Sequence, residues 1–456
     1  MDLMLKVIHE CPDETLCKYP FVILMLSYLF RFEGKYEAAG KLTRLIDYIL
    51  DNNPNGLSED ELRQLKGEYL LFLSFTRYND IKKVYEGQTA AYKQLGGPSR
   101  YKLNEIPFTM GATSILSMFW CEPGRLDETL RDMQCFLPQH IKLTRGQGVG
   151  ADSALHAEMM LMRGDDIQAE ILCHKAMYQA RSKKEICTCL CAEQILARLA
   201  ILRGDVEGFF TALENIKSYA KESSNLYILR MVDISLSVVS VALDTTDMVA
   251  NWFSDVESIS KKVYARAVPY VNILYSHLLV REKRHAELLG LFDDAIGMAK
   301  EMNYIFPQIY SFLFKSRVYY ARGREREALD NLLEAFALAL PDRLYLPFAQ
   351  HAYMDDLLSK AHRSSIAKWN EDIEQIRELY HRYQKGKTTI LNALRQSESP
   401  LTPREREVAL LAKERLSHQE IADKLFISKA TVRTILYNAY NKLGIHSKSE
   451  LYRINF

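Results

Sequence analysis

The sequence predicts an all-α protein in which an α-solenoid of paired helices is followed by a small four-helix domain. Helix-breaking residues are scarce, since 456 residues contain only 20 Gly and 13 Pro, below their average usage. Polar turns recur about every 40 residues between segments with a helical apolar period, as helical repeats require. Four helix-start signals then crowd the C-terminal end of the chain, which indicates several short helices there.

The repeats are defined by their turns. The aligned turn residues are Gly164, Gly204, Lys283 and Gly323, with Asp244 in the gap between the second and third, and Gly34 in a fifth copy. A Gly at such a position suits the left-handed cap that ends a helix. Two helices per unit at this period are typical of a TPR-like solenoid, so residues 1–340 are expected to form a curved superhelix whose concave surface binds a partner. The alternative is an irregular helical bundle with accidental spacing.

Two glycine-containing stretches imitate phosphate-binding loops. The stretch TRGQGVGADS (residues 144–153) is not followed by Lys-Ser/Thr, so we expect a loop lining the inner face of the solenoid. The stretch QKGKTT (residues 384–389) has His381 where a P-loop needs Gly, and no strand precedes it. We expect an exposed basic helix end there and no nucleotide site.

Composition excludes several classes of protein. The formal charge is only +1, so any attraction to nucleic acid must come from a local patch. The longest apolar run, residues 19–30, has 12 residues, whereas a membrane span needs about 20. The N-terminal residues show no signal-peptide pattern, which favours a cytoplasmic protein without membrane contact.

The eight cysteines include no CxxC pair. Cys187, Cys189 and Cys191 are two residues apart, and such positions do not face one another on a helix. We therefore expect reduced, buried thiols, with no metal and no cofactor. No HExxH or GxSxG motif is present, so the chain is not expected to be an enzyme.

The C-terminal part is predicted as two regions: a helical extension and linker over residues 341–398, and a separate domain over residues 399–456. A short polar hinge, QSESP (residues 396–400), lies between them. Helices are predicted over residues 403–414, 418–425, 429–443 and 448–454. The signals are capping boxes at Thr402/Glu405, Ser417/Glu420 and Ser447/Glu450, an N-cap at Ser428 and a C-terminal cap at Gly444.

Only residues 426–428 join the second and third of these helices, which predicts a helix-turn-helix. One face of the third helix is apolar, with Val432, Ile435, Leu436, Ala439 and Leu443. The other face carries Lys429, Arg433, Thr434, Tyr437 and Asn441, groups that suit phosphates and base edges in a major groove. Residues 399–456 carry a net charge of +4 and the remainder −3. The alternative is that these cations merely solvate a small helical domain.

The C-terminal part of the chain resembles the LuxR/GerE-type DNA-binding domain. The matching pieces are LTPREREV, EIADKLFIS, TVR, NKLGI and SKSE. The resemblance implies a third helix in the major groove and a homodimer on paired half-sites, often packed through the last helix, here residues 447–454. It places base and phosphate contacts at Thr431, Arg433, Thr434 and Tyr437. Two positions depart from the family: Arg415 stands where Gly is usual, and Ile435 where His is common.

The rest of the chain is similar to the helical-repeat region of large MalT-like regulators of the same family. The segments that carry this similarity are LGGPSR, ILCHKAMYQA and LARLAILRGD. Those proteins usually carry an N-terminal ATPase, whereas this chain shows no Walker A motif. Both a natural short form and a truncated longer regulator remain open.

We therefore expect a cytoplasmic transcription regulator whose solenoid binds an unknown small-molecule or protein effector and controls a dimer on double-stranded promoter DNA. The alternative is a protein–protein adaptor whose DNA-binding module is vestigial or masked. The sequence leaves the effector, the operator, and the choice between activation and repression open.

Overall fold

The computed structural model describes residues 2–101, 106–360, 366–398, 401–445 and 448–451. Over these ranges the regular structure is helical, and no β-strand is present. The predicted fold class, a helical-repeat region followed by a helix-turn-helix domain, is confirmed. No helix within the described ranges combines the length and the apolar character needed to cross a bilayer.

The helices before residue 399, here called the helical body, run antiparallel to their neighbours in pairs over most of its length. Over the described ranges, short 3₁₀ turns at Ala265–Ala267, Leu340–Asp342 and Ala367–Trp369 interrupt the α-helices. The α-helices of the body whose bounds the structure describes are Asp2–Glu10, Asp13–Cys17, Pro20–Phe32, Tyr36–Asn52, Glu59–Thr76, Ile81–Leu95, Ile115–Phe119, Leu126–Thr144, Ala151–Arg163, Asp166–Arg181, Ile186–Arg203, Val206–Glu222, Leu226–Ala242, Val256–Ser260, Val268–Arg281, His285–Glu301, Ile305–Ala321, Glu325–Ala339, Leu346–Ala349, Tyr353–Lys360 and Asn370–Glu398.

The predicted repeat turns all adopt the left-handed backbone conformation. Their φ angles are +73° at Gly34, +86° at Gly164, +72° at Gly204, +56° at Asp244, +59° at Lys283 and +72° at Gly323. The unit at Asp244 differs from the others, because residues 245–255 form irregular turns before the short helix Val256–Ser260. The turn prediction is confirmed at every copy, but this unit has no long second helix.

Two of these turns use the same pair of residues, Gly followed by Asp. The Gly ends one helix, and the Asp side chain caps the next by accepting a backbone hydrogen bond. The N–H of Gln168 donates to Asp165 over 3.1 Å, and that of Gly208 donates to Asp205 over 3.0 Å. Adjacent stop and start signals therefore allow a tight helix–turn–helix hairpin.

A non-repetitive stretch, here called the central segment (residues 107–120), runs through the interior of the helical body. Each of its residues is buried. Ser114 donates to Glu158 over 2.7 Å, Thr113 donates to Gln194 over 2.5 Å, and the carbonyl of Trp120 accepts from the N–H of Ile305 over 3.5 Å. One segment thus contacts helices that lie far apart in the sequence.

The central segment contacts the TRGQGVGADS stretch. Residues 146–148 of that stretch are buried, and a Cβ at Gly148 would lie 2.7 Å from the ring of Phe108. Residues 145–150 form a turn between two helices, so the stretch is a loop as predicted, and this loop packs against the central segment. Its place on an inner face of the solenoid, and an accessible concave surface, stay predictions.

The long helix Asn370–Glu398 packs against the repeat hairpins. Arg382 donates to Asp166 over 2.9 Å, and the hydroxyl of Tyr383 donates to the carbonyl of Ala242 over 2.5 Å. Gly386 is buried where this helix crosses the turn that contains Gly204. The QKGKTT stretch therefore lies in the middle of a helix, so the prediction of a helix end is wrong. The predicted exposure holds for Lys385, Thr388 and Thr389 but not for Gly386.

A buried histidine lies near the central segment. His140 is completely buried among aromatic rings, including those of Phe108 and Phe136. Its Nε2 lies 3.0 Å from the amide oxygen of Gln147, and its Nδ1 lies 3.0 Å from the amide nitrogen of Gln88. Burial lowers the pKa of His140 to about 3, so the ring is neutral near pH 7.

Acidification is expected to lower the free energy of unfolding of the wild type more than that of His140→Gln. Below pH 6.5, residue 140 becomes protonated in the unfolded wild-type chain but stays neutral in the folded chain. The stability of the wild type therefore falls relative to that of the variant. The free energy of unfolding of the wild type, minus that of the variant, should fall by about 3 kcal/mol from pH 7 to pH 4. Urea denaturation at several pH values measures this difference, and parallel curves would contradict the assignment.

The cysteines are free thiols, five of them buried: Cys17, Cys173, Cys187, Cys189 and Cys191. Cys135 is exposed, so the prediction of burial is wrong at that position. No cluster of three or more potential metal ligands is found over the described ranges.

The described residues form two separate apolar cores. One extends through the helical body to Ile390, and the other lies within residues 401–451, here called the C-terminal module. The predicted boundaries at residues 340/341 and 398/399 stay predictions, and residues 399 and 400 lie outside the described ranges.

Candidate nucleic-acid interface

The C-terminal module is built from short, well-capped helices. Their bounds are Pro403–Lys413, His418–Leu425, Lys429–Leu443 and Lys448–Leu451. Both predicted capping boxes at Thr402/Glu405 and Ser417/Glu420 are present. Ser447 of the third predicted box and residues 452–454 of the last predicted helix lie outside the described ranges.

A sharp turn joins the second helix to the third, Lys429–Leu443, here called the recognition helix. Phe426 ends the second helix with a φ of +54°, and the N–H of Ile427 returns to the carbonyl of Ala422 over 3.0 Å. Ser428 then caps the recognition helix by accepting the N–H of Thr431 over 3.0 Å. Gly444 ends it with a φ of +65°. The predicted N-cap and C-terminal cap are both confirmed.

The apolar side of the recognition helix fixes its orientation. Val432, Leu436 and Ala439 are buried, and Ile435 and Leu443 are partly buried against the same core. These positions recur at helical spacing, so a single face is held against the first two helices. The opposite face is thereby turned to solvent.

That solvent face carries the predicted DNA-binding residues. All six are exposed, namely Lys429, Thr431, Arg433, Thr434, Tyr437 and Asn441. Tyr437 retains 66% of its surface, which is high for a large aromatic side chain. Their roles in DNA binding stay a prediction.

Two of the six residues make local hydrogen bonds. The hydroxyl of Thr434 donates to the carbonyl of Ala430 over 3.2 Å, which leaves its oxygen free to accept. The hydroxyls of Thr431 and Ser428 lie 2.7 Å apart at the start of the helix. Their side-chain positions are therefore fixed before any ligand binds.

Ion pairs divide the cations of the C-terminal module into two groups. Lys442 pairs with Glu405 over 2.7 Å, and Arg404 pairs with Glu407 over 2.6 Å. The hydrogen bond from Lys442 lowers the pKa of Glu405 below its usual value. Lys424, Lys429 and Arg433 form no such pair with the described residues, so positive charge is available around the helix-turn-helix.

Sequence reasoning missed Phe426. Its side chain is 96% exposed in the turn, between the available cations Lys424 and Lys429. The signal that could have identified it is its position in the short link between the second and third helices.

The two departures from the family pattern have local explanations. Arg415 has a φ of +72°, a conformation that Gly adopts without strain, so the backbone geometry is kept although the residue differs. Ile435 is partly buried against the module core, so it adds to packing where a His would offer a polar group.

Comparison with known proteins places this geometry in a family. Residues 399–455 match the family described as bacterial regulatory proteins, luxR family. Spore germination protein GerE of Bacillus subtilis (strain 168) is 47% identical over 55 residues, which are 12% of this chain and 74% of that protein. "Putative HTH-type transcriptional regulator Rv0890c" of Mycobacterium tuberculosis (strain ATCC 25618 / H37Rv) is 49% identical over 51 residues.

The second match covers 11% of this chain but only 6% of the mycobacterial protein. Both matches are of a length that fits the C-terminal module, so the MalT-like resemblance of residues 1–395 stays a prediction. The match to GerE covers most of that protein, and the helix-turn-helix on which it rests is present in the structure. Through residues 399–455, this chain belongs to the LuxR family of bacterial regulatory proteins.

Proposed function

We propose that the protein is a cytoplasmic transcription regulator in which the helical body responds to a small molecule or a protein and controls DNA binding by the C-terminal module. The observation that carries this proposal is the exposed, unpaired Arg433 beside Tyr437 on a helix fixed by its buried face. Such a helix can enter a major groove without rearrangement. A homodimer would place two recognition helices on paired half-sites.

Different exposed residues of the C-terminal module suit contacts with phosphates and contacts with base edges. Lys424 and Lys429 suit phosphates, which supply affinity but little sequence information. Arg433, Thr434 and Tyr437 suit base edges and would set the preferred sequence. The proposal assigns the chain no catalytic reaction.

Arg433→Ala is expected to weaken specific DNA binding by about 1–3 kcal/mol and to relax sequence preference, because it removes a cation aimed at base edges. Lys424→Ala should instead weaken binding to all sequences alike and reduce the salt dependence. Binding sites would first be selected from random DNA with the whole chain, and affinities then measured by gel shift at several salt concentrations.

Arg326→Ala is the matched control, because Arg326 is an exposed arginine of the helical body. It should leave both affinity and preference unchanged. Unchanged affinity and preference in Arg433→Ala would show that another surface contacts DNA.

The second candidate function is a protein–protein adaptor. It is favoured by exposed apolar side chains on the first helices, including Leu3, Val7 and Met25, since such patches often contact other proteins. Retardation of DNA at low salt by the whole chain would exclude a permanently masked module. If residues 397–456 bound DNA alone while the whole chain did not, the adaptor would be favoured.

A further inference from the structure

A small cavity lies between three consecutive helices of the helical body, Val268–Arg281, His285–Glu301 and Ile305–Ala321. Its volume is about 80 Å³, and its lining includes Leu279, Leu288, Phe292 and Phe314. These four side chains are buried. The walls are therefore mainly apolar, as is usual for sites that bind small organic molecules.

One polar side-chain atom in the wall has no partner among the described residues. Asn272 lines the cavity and is only 9% exposed, and its Oδ1 is buried without a hydrogen-bond donor among the described residues. A buried acceptor left unpaired is unfavourable, so it usually marks a bound water or ligand. The amide oxygen therefore supplies an unused hydrogen-bond acceptor in a residue that lines the cavity.

The hydrogens of two neighbouring hydroxyl groups already have acceptors. The hydroxyl of Tyr275 donates to Glu287 over 2.7 Å, and that of Ser311 donates to the carbonyl of Pro307 over 2.9 Å. Neither of these hydrogens is therefore available to Asn272 Oδ1. A largely apolar molecule with a single donor would match an apolar wall that carries one unpaired acceptor.

The open side of the cavity defines the size and charge of its ligand. Ala295 and Met298 are partly exposed there, and the carboxylate of Asp294 is exposed at the rim. An acidic rim repels anions. A dry apolar cavity of about 150 Å³ accommodates benzene. This cavity is smaller, at about 80 Å³, so its ligand can be no larger than one six-membered ring, part of which would reach into solvent through the open side.

We propose that this cavity binds a small, uncharged aromatic molecule with one hydrogen-bond donor, of the phenol class, whose hydroxyl donates to Asn272 Oδ1. Binding itself is independent of DNA, whereas the role of the cavity as an effector site rests on the proposed function.

Hydrogen bonds connect one wall of the cavity to the long helix. Tyr310, one turn before Phe314, donates to Gln350 over 3.3 Å, and the amide of Gln350 donates to Tyr383 over 3.2 Å. Tyr383 belongs to Asn370–Glu398, the helix that precedes the C-terminal module. A ligand that shifts the helix carrying Phe314 therefore acts on groups that hold this long helix in place.

The test is calorimetric titration of the whole chain with phenol, toluene and benzoate. Phenol should bind saturably, toluene about tenfold more weakly because it lacks a donor, and benzoate not measurably. Asn272→Leu should abolish the difference between phenol and toluene. Asn251→Leu, the same exchange at an exposed asparagine, should preserve it.

A second variant keeps the proposal testable if Asn272→Leu folds poorly. Ala295→Leu narrows the open side without removing a polar contact, so it should abolish phenol binding. Three outcomes would overturn the proposed site: the wild type does not bind phenol, it binds phenol and toluene equally, or Ala295→Leu binds phenol as the wild type does. In the first case, Asn272 Oδ1 would be satisfied by a bound water only.

The role of the cavity as an effector site is tested separately, with the DNA sites that the whole chain selects from random DNA. Phenol should change the DNA affinity of the wild type but not that of Ala295→Leu. Saturable phenol binding with constant DNA affinity would overturn the effector role while the binding site stands. A chain that binds phenol but no DNA would instead overturn the proposed function.

Discussion

Gly386→Ala is expected to destabilise the helical body by about 3 kcal/mol. A Cβ at this position would lie 2.7 Å from the carbonyl oxygen of Leu202 and 2.8 Å from the backbone nitrogen of Gly204, with the carbonyl of Ile201 closer still. Backbone atoms cannot rotate away as a side chain can, so the long helix must move off the turn. Thermal and urea denaturation of the whole chain would measure the loss.

Gly290→Ala is the matched control for this substitution. Gly290 also lies inside a helix, His285–Glu301, but a Cβ there meets no atom within 4 Å. The same exchange should stabilise the protein by about 0.5–1 kcal/mol, because alanine restricts the unfolded chain more than glycine does. Equal effects of the two substitutions would contradict the close helix-to-turn contact.

Leu436→Asp is expected to unfold the C-terminal module and abolish DNA binding. Leu436 is only 2% exposed in a core formed by few residues. An unpaired buried carboxylate costs several kcal/mol, which equals or exceeds the stability of a core this small, about 3–5 kcal/mol. Gel shifts would measure the loss of DNA binding, and limited proteolysis would detect the unfolded module.

Asn438→Asp controls for the added charge. Asn438 lies on the same helix but is exposed, so the module should stay folded and resist proteolysis. The main melting transition of the helical body should be unchanged in both variants, since its core is separate. Comparable proteolysis of the two variants would show that Leu436 is not a core residue.

The features that local sequence could predict are those set by local chemistry. The left-handed turns at Gly164 and Gly204, the capping boxes at Thr402 and Ser417, and the sharp turn before Ser428 each depend on a few adjacent residues. The exposed face of the recognition helix follows from the same periodicity that buries Val432. These features appear in the structure where the sequence places them.

What the sequence could not predict depends on residues that are distant along the chain. The central segment contains a single short helix, Ile115–Phe119, so no long helical period indicates that it lies inside the body. The residues around Gly386 give no sign that the turn at Gly204 packs against it. The unpaired amide oxygen of Asn272 is visible only once three helices enclose it.

The central segment also has a consequence for cooperativity. In an ordinary repeat array each unit touches only its neighbours, so unfolding can begin at either end and advance stepwise. Here residues 107–120 join helices near residues 158, 194 and 305 by hydrogen bonds. Loss of any one of these units exposes surface belonging to the others, so the array should denature as a single block, and removal of individual repeats should not be tolerated.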